Sequence, residues 1–128
     1  MILKDRNQIK KQLNALLGKS SFIAITEDDV RELFPNGGPG AMLHISTCKA
    51  EQMLSVLKQE FEALKIAPGA MAAFFVSKSL LMQDLADLDG VLAFPGHVLR
   101  SVIFEESEPG AIDLYLFFNS PNNEETTL

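Results

Sequence analysis

A chain of 128 residues, 47% of them apolar, is sized for one domain with one core, and no apolar run approaches the roughly 18 to 20 residues that span a bilayer. The net charge of −6 argues against a general nucleic-acid binder, whose phosphate contacts need a basic surface. A single cysteine and the lack of a charged-then-apolar leader predict a cytoplasmic protein with no membrane insertion, not a disulfide-framed secreted one.

The charge is uneven. Residues 1–20 hold Lys4, Arg6, Lys10, Lys11 and Lys19 against Asp5 alone, a balance of +4, so residues 21–128 carry −10 of the total −6. The first helix is expected from about Lys4 to Leu17, with Ile9, Leu13, Leu16 and Leu17 in one apolar stripe and Gly18 as a left-handed C-terminal stop. Either this basic helix meets an acidic surface, or it packs its apolar side on the acidic body and solvates its lysines; so few cations favour the second.

Ser21 to Ile25 reads as a short strand. Thr26 and Asp29 are spaced as a capping box opening a short helix, with Glu27, Asp28 and Asp29 in the turn where the helix dipole favours acids, and Val30, Leu33 and Phe34 as its buried side. That structural reason is preferred over a metal site. Pro35 and Asn36 end it, and Gly37-Gly38-Pro39-Gly40 makes a tight turn. The turn matches no named phosphate-cradling pattern.

Ala41 to Ser46 is a strand whose faces are Ala41, Leu43, Ile45 and Met42, His44, Ser46. A long amphipathic helix follows, starting near Thr47, carrying Met53, Leu54, Leu57, Phe61 and Leu64, and ending at Ala67-Pro68-Gly69. Met71 to Val76 is apolar throughout, as a strand buried on both faces should be. The strand–helix–strand unit therefore predicts that these two strands are parallel, adjacent or one strand apart. Ser79 to Asp89 reads as a helix capped by Ser79 with a solvated aspartate face, and Val91 to Phe94 as a short strand before the turn Pro95-Gly96. Val98 to Glu105 and Ala111 to Phe118 are expected to pair as a hairpin across a type II turn centred on Pro109 and Gly110. Both faces of the last strand are apolar enough for a central strand or a partner surface. Ser120 to Leu128 reads as a disordered tail after one globular domain, residues 1–119.

The expected fold is α/β, with α+β as the alternative: a single mixed sheet of about five to six strands with helices packed on it, a central strand–helix–strand unit and a C-terminal hairpin. No pattern calls for a cofactor or a metal, and no catalytic constellation is evident. The ligand candidates are Gly38 and Gly40 in the turn, Thr47 and Cys48 where the strand becomes a helix, and His97 and Arg100. Cys48, in the first helical turn and about half a revolution from the core stripe, should be exposed; His44, some ~13 Å back along an extended strand, cannot activate it. Two functions follow. The first is an interaction module that binds and regulates another protein, a basic one being complementary to the acidic body, as an adaptor, chaperone or inhibitor. The alternative is a small-molecule-binding or enzymatic domain with its pocket at Gly37 to Cys48. A homodimer formed by sheet extension is also open.

Overall fold

The computed structural model describes residues 2–19, 25–35, 37–64, 70–92 and 98–119. Its elements in chain order are β1 (Ile2–Leu3), α1 (Arg6–Leu17), α2 (Glu27–Leu33), β2 (Ala41–Thr47), α3 (Ala50–Leu64), β3 (Met71–Val76), α4 (Met82–Leu92), β4 (Val98–Ile103) and β5 (Ile112–Phe118). The strands form one mixed five-stranded sheet in the order β1-β2-β5-β3-β4.

The side-chain alternation of a strand divides the core in two. Ala41, Leu43, Ile45, Met71, Ala73, Phe75, Ile112, Leu114, Leu116 and Phe118 face Met53 and Leu57 of α3 and Leu88 and Leu92 of α4. On the reverse side Met42, Ala72, Phe74, Val76, Ile103 and Phe117 meet Ile9, Leu13 and Leu16 of α1 and Val30 and Phe34 of α2. The single expected core is thus two, one on each side of the sheet. The basic first helix docks on its own domain through its apolar stripe.

Local chemistry explains the element ends. Asp5 caps α1 by accepting from the N–H groups of Asn7 and Gln8 at 2.9 and 3.2 Å, which satisfies two of the donors a helix start leaves over. The Thr26–Asp29 capping box forms in both directions, at 3.0 and 3.1 Å. β3 is buried along its whole length, as its composition predicts. β2 and β3 both run antiparallel to β5, so they are parallel to each other and one strand apart.

Several expectations are corrected. Gly18 closes α1 in a right-handed conformation, φ −78°, so its lack of a side chain is not what stops the helix. α3 begins at Ala50, after a bend at Cys48 and Lys49, because β2 runs on to Thr47. α4 starts at Met82, where the Asp84 carboxylate accepts from the Leu81 N–H at 3.1 Å, and runs through Gly90. Val91 and Leu92 are therefore its last turn and not a strand; the helix tolerates an exposed glycine at a cost of about 1 kcal/mol.

The hairpin does not form. β4 pairs in parallel with β3, and β5 inserts between β2 and β3, so β3 separates the two strands. The type II turn itself is present, with Ala111 N–H donating to the Glu108 carbonyl at 2.9 Å and Gly110 at φ 80°. It merely leads the chain over the end of β3. The proposed strand at Ser21 to Ile25, apart from Ile25, and the tail from Ser120 lie outside the described residues.

Candidate functional site

β2 sends its glycine turn and its cysteine to opposite ends of the sheet. At roughly 3.3 Å per residue, Gly40 and Cys48 are about 25 Å apart, so the stretch cannot make one pocket. The Gly40 N–H is held by the Asn119 side chain at 3.0 Å, which ties the start of β2 to the end of β5. Thr47 turns its hydroxyl to the Lys49 carbonyl at 3.1 Å. Cys48 is exposed but precedes α3 by two residues, outside its first turn. Arg100 pairs with Asp89 of α4 and donates to the Val98 carbonyl at 3.1 Å, pinning β4 to the helix that covers it. His97 lies outside the described residues.

Gly38 belongs to a different arrangement. A cleft of about 670 Å³ opens between α1 and α2 and is closed at one end by Gly37, Gly38 and Pro39. Positive φ at Gly37 and Gly38, 92° and 95°, lets the chain turn back from α2 into β2 where a side chain would strain it. The Arg6 guanidinium lies over this turn: a Cβ on Gly37 would meet its Nη1 at 3.5 Å. Arg6 and Lys10 are one helical turn apart on α1. Arg31 reaches the cleft from α2 while its Nη2 donates to Asp28 at 2.9 Å. Leu13, Leu17, Val30 and Phe34 supply apolar wall, and Glu27 adds a carboxylate.

The opposite end of the sheet carries a second cluster, on the α1/α2 side. His44 Nε2 donates to Asp113 Oδ1 at 2.7 Å across the β2–β5 pairing, and Ser107 Oγ donates to Asp113 Oδ2 at 2.8 Å. The His44 ring stacks on Tyr115, with centroids 4.2 Å apart and planes 4° from parallel. Burial pushes the Asp113 carboxyl up, but hydrogen bonds from His44, Ser107 and Ser46, with the charge of His44, outweigh it and hold the group below its ordinary range. Burial, then the neighbouring Asp113 charge, pushes the Tyr115 hydroxyl up and keeps it protonated at neutral pH. Histidine, carboxylate and serine are present, but both partners converge on the carboxylate, so His44 Nε2 is directed at Asp113 and not at the Ser107 hydroxyl. The cluster binds β2, β5 and the β4–β5 connection together.

Sequence reasoning placed His44 on the minority face of its strand but did not link it to Asp113, 69 residues away. The available signal was the polar residues His44, Ser46 and Asp113 on the second faces of β2 and β5. Arg6, Lys10 and Arg31 gave no signal, because their convergence depends on how α1 and α2 cross the sheet.

The described residues also expose Leu81, Met82 and Phe104, at 67%, 78% and 68%. All three follow the C-terminal ends of the parallel strands β3 and β4, and Ser77 N–H donates to the Ile103 carbonyl at 3.1 Å where those ends meet. Among the described residues no helix is long and apolar enough to cross a membrane.

No family model and no curated protein matches the chain.

Proposed function

We propose that the protein is an acidic interaction module that docks a basic, apolar-bearing segment of another protein at the Leu81, Met82 and Phe104 end of its sheet. The observation that carries this reading is the exposure of three large apolar side chains at one edge of a domain whose other large apolar side chains are mostly buried. Crevices at the C-terminal ends of parallel strands are also where open α/β sheets take their ligands. The surrounding charge supplies the choice of partner. Glu51, Asp84, Glu105, Glu106 and Glu108 stand at this end against Lys49, Lys78 and Lys19, and Lys19 is already paired with Glu105 at 2.7 Å. An acidic rim around an apolar centre selects cationic partners and makes their association faster at low salt.

The apolar second face of β5 gives no support, because it lies under α1 and α2. The test is a comparison of three chains in pull-downs from the source cells: wild type, Met82→Ser with Phe104→Ser, and Glu106→Gln with Glu108→Gln. A partner held by the wild type and lost from the apolar variant, with weaker retention by the charge variant at low salt, supports the reading. Equal retention by all three chains defeats it.

A further inference from the structure

We propose that the cleft between α1 and α2 is a binding site for an amphiphilic organic anion, a carboxylate head on an apolar body, separate from the docking end of the sheet. Its volume of about 670 Å³ is that of pockets that enclose drug-sized ligands, which run from about 300 to 1,000 Å³. The cations of the lining gather at one end, beside Phe34, Pro35 and Pro39, and its carboxylate, Glu27, lies at the other, where α2 starts. Arg6 and Lys10 on α1 and Arg31 on α2 lie toward the glycine turn, since α1 starts and α2 ends there. Leu13 and Leu17, one and two turns further along α1, line the remainder opposite Val30.

The electrostatics distinguish this cleft from a surface that merely solvates its lysines. The chain has a net charge of −6, and three of its cations, Lys19, Arg31 and Arg100, already pair with acids. Arg6 and Lys10 form no ion pair among the described residues. An anion seated beside Arg6 and Lys10 would gain charge-assisted hydrogen bonds without breaking any described one. Arg6 is also positioned, because its guanidinium rests on the glycine turn, in van der Waals reach of where a Cβ on Gly37 would stand. An apolar body is expected on the anion because the half-buried Leu17 side chain gains cover from one and not from a free inorganic anion; Leu13 and Val30 are already buried.

The probe is anilinonaphthalene sulfonate, read by fluorescence titration of the full chain, beside N-phenylnaphthylamine, which has the same rings without the anion. Saturable binding of the sulfonate at one site is expected. It should weaken by about tenfold in Arg6→Gln with Lys10→Gln, while Lys58→Gln, on α3, leaves it unchanged. The uncharged probe should bind weakly and respond to neither change. Dodecanoate should displace the sulfonate and inorganic phosphate at the same concentration should not. Because the exposed apolar end could also attract such a probe, Met82→Ser with Phe104→Ser serves as the second variant and should bind as the wild type does. Unchanged affinity in the Arg6/Lys10 variant, loss in the Met82/Phe104 variant, or displacement by phosphate would each overturn the assignment. Neither exposed cation is part of a core, so the first variant should keep the wild-type circular dichroism and melting temperature.

Discussion

Asp113 is placed where two effects oppose each other. It is 2% exposed, which penalises its charge, yet His44, Ser107 and Ser46 donate hydrogen bonds that favour it, and the second effect prevails. The folded protein therefore holds this proton less tightly than the unfolded chain, whose carboxyl has the ordinary value of 3.8. By linkage the ionised form stabilises the fold at every pH above 3.8, and the contribution is lost as pH falls through the lower folded value. Asp113→Asn keeps the shape but removes the charged acceptor, so it should lose about 1.5–3 kcal/mol at neutral pH. Its stability should also fall less steeply than the wild type's below pH 3.8. Urea unfolding midpoints followed across that range check this, and parallel curves for the two proteins would rule out Asp113 as a source of the acid sensitivity. Thr26 offers a simpler case. Its hydroxyl accepts from the Asp29 N–H at 3.1 Å, and Thr26→Ala should cost about 0.5–2 kcal/mol in the same assay.

At the scale of elements, the connection from β4 to β5 separates what a turn can specify from what it cannot. In a tight hairpin the turn sets the register, and a two-residue insertion shifts or breaks the pairing. Here the Pro109–Gly110 turn joins strands that are not neighbours, so register is set by the apolar alternation of β5 against β2 and β3. Two residues inserted between Glu108 and Pro109 should therefore lower stability by less than about 1 kcal/mol and preserve the amide exchange protection of β5. Loss of that protection would show that the turn does fix the strand. The same distinction explains what could be read in advance. β3, the stripe of α3 and the Thr26–Asp29 box are legible because each is encoded within one strand or one helix. The insertion of β5 between β2 and β3 is not, because no residue of β5 names its neighbours, and the His44–Asp113 bond and the Arg6, Lys10 and Arg31 cleft inherit that illegibility. The separation of the glycine turn from Cys48 is legible in the same local way. Seven strand residues at ~3.3 Å each already place the glycine turn and Cys48 far apart.

The whole molecule is two apolar layers that share one sheet, and this decides how it should unfold. Phe117 is fully buried on the α1/α2 side, where its ring meets Phe74 edge to face at 5.6 Å, whereas Leu57 is fully buried on the α3/α4 side. Truncation to alanine leaves a cavity in each case and should cost about 3–5 kcal/mol for Phe117 and about 2–5 kcal/mol for Leu57. The two residues belong to separate clusters, so their direct interaction is small and the double variant should be additive within about 0.5 kcal/mol. Cooperativity is a different matter. β3 and β5 present alternate side chains to both layers, so neither helix layer can dissolve without uncovering one face of the same two strands. Each variant should therefore melt in a single transition whose calorimetric and van't Hoff enthalpies agree. Two resolved transitions in Phe117→Ala, with α3 and α4 outlasting α1 and α2, would mean that the layers fold as separate units and that the sheet does not couple them.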